Sequence, residues 1–174
     1  LWDLNLPLTT LAEIGLKLGA DVPVFVMGKA AFAEGVGEQL TPVEIPEPWY
    51  LVIKPDAHSD TKQIFSHKLL TRDTPRIKMR SVLTSRGQND CEAVVRMIYP
   101  EIDKSLNLLN KFASARMTGT GACIFSEHDS ENDARAILVK LPAETNAFVA
   151  KGCNQSPLHI VLSAQQSNWG VAKR

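Results

Sequence analysis

Apolar residues recur along this chain at two spacings, one helical and one of strands. Leu11, Ile14 and Leu18 fall at i, i+3 and i+7, one face of a helix. Thr10 and Glu13 are spaced as a capping box, which predicts that the helix begins near Thr10. Gly19 stands where such a helix ends in a left-handed residue. Asp21, just ahead of Pro23, is set to open a second short helix, whose first turn tolerates proline. Ala30-Ala31-Phe32-Ala33 reads as a strand that Gly35-Val36-Gly37 ends, with Gln39 to Val43 as its return partner.

Pro42, Pro46 and Pro48 with Glu44 and Glu47 make a stiff polar connector, the candidate domain boundary. Beyond it, Trp49 to Ile53 has a buried-strand pattern. Thr61 to Leu70 predicts a helix with Ile64, Phe65 and Leu69 on a weak apolar face, and Thr71 to Arg80 a basic, proline-broken surface loop. Asn89 or Asp90 caps a helix carrying Val94, Val95 and Ile98. Pro100 starts the next, whose face is Ile102, Leu106, Leu109 and Phe112. Ala115 to Thr118, Gly119-Thr120-Gly121 and Ala122 to Phe125 read as strand, glycine turn and strand. Ser130 with Asp133 opens another helix, Ala147 to Ala150 is a strand, and Ser156 to Leu162 adds a last helical turn.

From Trp49 the order is strand, helix, helical insertion, strand, strand, helix, strand: the β-α-β-β-α-β order of a ferredoxin-like unit in an α+β chain. The segment before Pro42 holds too little to form its own core and reads as the end of another domain. The expected division is residues 1–46 as that end, 47–162 as the ferredoxin-like domain and 163–174 as a frayed tail.

Composition narrows the function. The 174 residues carry 19 basic and 19 acidic side chains and no net charge, so nucleic acid is a poor candidate partner. No apolar run approaches a membrane span and no leader is read, which leaves a cytoplasmic protein as the expectation. Cys91, Cys123 and Cys153 form no C-x-x-C pair and read as reduced, buried thiols. None of the 4 histidines pairs with another at ligand spacing, so no metal site built from side chains is expected.

Three places could carry chemistry. Asp21 reads either as a helix cap or as a general base, hemmed by Ala20, Val22, Val24 and Phe25 at a helix start that favours its charge. Thr118-Gly119-Thr120-Gly121-Ala122 is either an ordinary hairpin turn or a nest of backbone N–H groups suited to phosphate oxygens. It is neither a Walker loop nor the dinucleotide fingerprint. Phe65 is either core or an aromatic that stacks on a planar base. Asn154, Ser156 and His159 read as capping and turn residues.

These segments together resemble the superfamily of galactokinase, homoserine kinase, mevalonate kinase and phosphomevalonate kinase, the GHMP kinases. The likeness is carried by Gly19 to Phe25, Ala31 to Glu38, Asn89-Asp90-Cys91-Glu92, Thr118 to Cys123, Ala150-Lys151-Gly152 and Ser156-Pro157-Leu158-His159. It runs from Leu1 to about Leu162 and is strongest toward the branch acting on a cytidine diphosphate substrate. The resemblance implies the GHMP kinase fold and transfer of the γ-phosphoryl of ATP, with magnesium, to the tertiary hydroxyl of 4-diphosphocytidyl-2-C-methylerythritol in isoprenoid biosynthesis. It makes Asp21 the catalytic aspartate, puts Gly119, Thr120 and Gly121 near the nucleotide phosphates, stacks Phe65 on cytosine and lines the substrate pocket with Thr61 and Val36. The small-molecule substrate and ATP are the implied partners, with a homodimer as a further expectation and neither nucleic acid nor membrane among them.

Two departures matter. Relatives can carry lysine where Ser66 stands, and the family's main phosphate loop, its lysine and an aromatic and histidine for cytosine would lie upstream of Leu1. The chain is therefore expected to be the C-terminal part of such a kinase, with little activity by itself. A non-catalytic nucleotide-binding module, or a related kinase acting on another alcohol, stays open beside it.

Overall fold

The computed structural model describes residues 4–75 and 87–171. The expected loop over Thr71 to Arg80 falls partly outside those residues. The chain divides into two compact units, residues 1–47 with 153–174, and residues 48–152.

In the second unit the strands β3 (Trp49–Ile53), β4 (Ala115–Met117), β5 (Ile124–His128) and β6 (Ala147–Lys151) form one antiparallel sheet ordered β4-β5-β3-β6. The helices between them are α3 (Thr61–Ser66), α4 (Glu92–Ile98), α5 (Pro100–Asn110) and α6 (Glu131–Leu138). This is the β-α-β-β-α-β arrangement expected from the sequence. Leu51 and Ile53 of β3 and Ile124 of β5 are buried together with Ile64, Val94, Val95, Ile102, Leu106 and Leu109 from the helices. Burial of one sheet face against amphipathic helices is what stabilises such a layer pair. Ser130 caps α6 by accepting from the Asp133 N–H at 3.1 Å, as its spacing predicts.

Helix α3 stops at Ser66 and does not reach Leu70: His67 is already extended and Leu69 is 69% exposed. Phe112, expected on the face of α5, lies past that helix's end and is half-exposed. Helix α4 begins at Glu92 with no side-chain cap at Cys91; Asn89 serves the turn before it, its Oδ1 accepting from the Cys91 N–H at 3.0 Å.

The first unit holds α1 (Leu8–Leu16), α2 (Val22–Met27), the antiparallel hairpin β1 (Ala31–Glu34) with β2 (Gln39–Pro42), and α7 (Pro157–Val171). Helix α1 starts at Leu8 behind Pro7 and makes no side-chain cap bond, so the Thr10–Glu13 box does not form. Proline entering with extended ψ already sets the chain into a first turn, and Thr10 lands inside the helix. Gly19 is not left-handed. That role belongs to Gly28, which ends α2 at φ 65° beneath the His159 ring, where a Cβ would collide. Helix α7 runs on through the segment expected to fray, as far as Val171.

Asn154 explains why the chain from Cys153 groups with the first unit, where the sequence reading carried the second domain on to Leu162. Its backbone N–H donates to Glu47 at 2.6 Å, its Nδ2 to the Ile45 carbonyl at 2.8 Å, and its carbonyl accepts from the Ala30 N–H at 2.9 Å. Of the cysteines only Cys91 is buried, while Cys123 is half-buried and Cys153 exposed; all three are free, and the expectation of three buried thiols is corrected. Among the described residues no helix is long and apolar enough to cross a membrane.

The two units differ in how much they bury. Leu106 is fully buried in the second, whereas Leu158 of α7 in the first is 62% exposed. Leu106→Ala is expected to cost about 2–5 kcal/mol of the second unit's stability and Leu158→Ala less than about 0.5 kcal/mol. Urea titration of each variant checks the contrast.

Candidate functional site

Asp21 occupies the N-cap position of α2 with φ −84° and ψ −12°. Its carboxylate makes no cap bond and is exposed, so it is not spent on the helix end as the cap reading supposed. The apolar hemming expected around it does not bury it: Ala20 is exposed, Phe25 is 74% exposed, and Val22 and Val24 are half-buried. What holds the turn is backbone: the Val22 N–H donates to the Gly19 carbonyl at 3.1 Å, and Pro23 is buried in the first turn.

The β1–β2 turn comes against this same segment. Gly37 has φ 112°, and a Cβ there would lie 3.1 Å from the Ala20 carbonyl oxygen, so the close approach requires glycine. Val36, at the tip, is exposed. The fold thus brings the Val36 turn beside the Asp21 turn within the first unit. Glu38 locks the tip, its Oε2 accepting from the Val36 N–H at 2.7 Å. Hydrogen bonds from its own backbone N–H and from that of Val36 hold its carboxyl below the usual carboxylate range.

In the second unit, Gly119 and Gly121 take φ 45° and 91°, and the Gly121 N–H donates to the Thr118 carbonyl at 2.8 Å. The base of the turn is fixed by the Thr118 N–H, which donates to the Cys123 carbonyl at 2.9 Å. A Cβ on Gly121 would press on Ile102, Met117 and Ser59, whereas one on Gly119 would meet nothing within 4 Å. The turn is therefore packed on one side and open on the other.

Helix α3 delivers two more of the expected residues to this turn. Asp60 caps it, accepting from the Lys62 and Gln63 N–H groups at 2.8 and 3.0 Å. Tyr99 steadies the same start, its hydroxyl accepting from the Asp60 N–H and donating to Gln63 Oε1, both at 3.0 Å. Thr61 then sits with its hydroxyl 3.1 Å from that of Thr120. Phe65, on the next turn, is 54% exposed and not core. It lines an open cavity of about 710 Å³ with Leu70, Arg72, Asn89, Arg116 and Gly119. Ser66 turns its hydroxyl back onto its own helix, donating to the Lys62 carbonyl at 2.8 Å, and so offers nothing outward in place of a lysine.

The aromatic ring, the glycine turn and the threonine pair therefore lie together in one unit, and Asp21 and Val36 lie together in the other. Sequence reasoning assigned no role at this site to three residues of the second unit. Arg72 donates to the Phe65 carbonyl at 2.6 Å, Tyr99 sets α3, and Asn89 reaches the glycine turn, donating to the Gly119 carbonyl at 2.8 Å. Only Asn89 had a signal: its position ahead of a helix pointed to capping, and it stood in one of the segments that carry the family resemblance. Among the described residues no group of three His, Cys, Asp or Glu side chains could hold a metal ion.

The pH dependence of the Val36 turn follows from Glu38. A lowered folded-state value means that the ionised carboxylate supports the turn above the ordinary carboxylate range, and that this support is lost as pH falls through the lowered value, below 4.5. The Val36 amide resonance is expected to titrate below pH 4.5 and to stop doing so in Glu38→Gln.

Residues 76–147 match the family model described as GHMP kinases C terminal. The chain is 54% identical over 162 residues to a 4-diphosphocytidyl-2-C-methyl-D-erythritol kinase of Tolumonas auensis, covering 93% of this chain and 57% of the relative. It is 57% identical over 166 residues to the protein of that name from Marinobacter nauticus, covering 94% and 58%. The chain thus spans less than two thirds of the relatives it matches. A crystal structure described as 4-(cytidine 5'-diphospho)-2C-methyl-D-erythritol kinase superposes with a TM-score of 0.70 over 87% of this chain and 59% of that one, at 24% identity, which shows the fold.

Proposed function

We propose that this chain, which carries a GHMP kinase C-terminal domain, serves an ATP-dependent kinase that phosphorylates the tertiary hydroxyl of 4-diphosphocytidyl-2-C-methylerythritol in isoprenoid biosynthesis. The observation that carries the reading is the meeting of an exposed aromatic ring with a glycine turn on one cavity. A flat base needs a ring face left uncovered, and a polyphosphate needs backbone N–H groups with no side chain in front of them. Phe65 supplies the first and Gly119 the second. The names of the relatives contain a cytidyl group and a diphosphate.

In the reaction the substrate hydroxyl oxygen bonds to the γ-phosphorus of ATP while the bond to the ADP leaving oxygen breaks. The hydroxyl proton goes to the Asp21 carboxylate, which is free to take it because it caps nothing. Alignment lowers most of such a barrier, so residues that hold groups in place count as much as the base. Thr61 and Thr120 offer hydroxyls beside the turn. Val36 belongs to the substrate pocket in this reading, on a tip that Glu38 holds in shape. Magnesium, when bound, would neutralise phosphate charge.

The test is an ADP-release assay on a protein that joins these residues to the part of the Tolumonas auensis relative they do not match. ADP release that requires the cytidine diphosphate substrate, and not homoserine or mevalonate, is the expected result. Asp21→Asn is expected to lower kcat by at least about 100-fold with little change in KM. Phe65→Ala is expected to weaken substrate binding by about 1–3 kcal/mol, the range for a base stacked on an aromatic ring. Turnover indifferent to Asp21, or substrate affinity indifferent to Phe65, would overturn the corresponding role.

A further inference from the structure

Among the described residues Asn89 grips the backbone both of the glycine turn and of the strand that leads into it. Its Nδ2 donates to the Met117 carbonyl at 3.1 Å and to the Gly119 carbonyl at 2.8 Å, and its Oδ1 accepts from the Cys91 N–H at 3.0 Å. The partners settle which way the amide faces, since the opposite orientation would set an oxygen against two carbonyl oxygens. Both Nδ2 protons are consumed, one on the end of β4 and one on the turn, and the side chain is anchored from the start of α4.

We propose that Asn89 is a positioning residue for the nucleotide phosphates, acting through the turn it holds. A trans peptide is planar and carries its C=O and N–H on opposite sides. Drawing the Gly119 carbonyl toward Asn89 therefore turns the Thr120 N–H away from it. Among the described residues the Thr120 N–H meets no acceptor, and the adjoining Gly119 is on the open side of the turn. The left-handed glycine at 119 would leave this peptide free to swing, and fixing it when a ligand arrives would reduce affinity. Asn89 settles the orientation beforehand, which is how fixed dipoles stabilise phosphate charge most effectively. The base of the turn is held by the sheet through Thr118 and its tip by Asn89, so the outward N–H is determined at both ends. This inference rests on the phosphate reading of the turn given above.

Steady-state kinetics of the joined protein provide the test. Asn89→Asp keeps the size of the side chain and the acceptor for Cys91 but replaces the double donor with an oxygen facing two carbonyls. It is expected to raise KM for ATP about tenfold while KM for the alcohol stays within about twofold. Val95→Ala is the control: it cuts into the same helix from its fully buried side and is expected to lower Tm with KM for ATP unchanged. A wild-type KM for ATP in Asn89→Asp, or an equal rise in Val95→Ala, overturns the inference while the kinase reading stands. Absence of any ATP-dependent turnover in the wild type overturns both. Should Asn89→Asp fail to fold, amide NMR of the wild-type chain decides: slow solvent exchange of the Asn89 side-chain protons supports the clamp, and exchange at the rate of a free amide overturns it.

Discussion

Strand β3 bonds to a neighbour along both of its edges, to β5 on one side and β6 on the other, and the rest of the second unit follows from that. Register does the positioning. Ile53 lies opposite Ile124 at the start of β5, and Met117 lies opposite the same Ile124 from β4. The chain must therefore leave β3 at the end of the sheet where β4 turns into β5. The glycine turn and the approach to α3 are neighbours because of this pairing, and the meeting of Thr61 with Thr120 is its local expression. A slip of one residue would send Leu51 and Ile53 to the opposite face and separate the pair, so the apolar pattern that builds the core also fixes the site.

Much of this order was legible in the sequence, and the exceptions have a common cause. Strand β3, the Ser130 cap, the β1–β2 hairpin and the strand–turn–strand around Gly119 rest on short-range patterns, and they lie where those patterns put them. The start of α1, the backbone of Gly19 and the length of α3 were misread, because caps and left-handed residues are decided by small local energies that neighbouring packing overrides. Asn89 could be read as a cap but not as a side chain that holds the turn. Its hydrogen bonds reach residues far along the chain, and no periodicity announces a side-chain amide that finds a distant carbonyl. Phe65 shows the converse: its helical spacing suggested core, yet a helix of one and a half turns has too narrow a buried face to cover it, and Ile64 takes that place.

The two units also differ in what keeps them folded. Among the described residues, every buried member of the apolar core lies between Leu51 and Leu141. In the first unit, among the described residues, only Gly15, Pro23 and Gly28 are buried, and Leu18 and Phe25 stand exposed. Its order comes from the backbone ladder of the hairpin and from hydrogen bonds such as those of Asn154. Polar bonds of this kind specify geometry but contribute modest net stability in water.

The hydroxyls of Thr61 and Thr120 face each other with a single proton shared between them. Either oxygen can be the giver. Whichever accepts keeps its own proton to point elsewhere, so the couple always holds one donor in reserve and can reverse its polarity by rotating two C–O bonds. Such a swivel costs little and needs no movement of helix or sheet. It lets the spare proton beside a fixed turn change direction while the backbone stays put, the way a gimbal keeps an instrument level on a fixed mount.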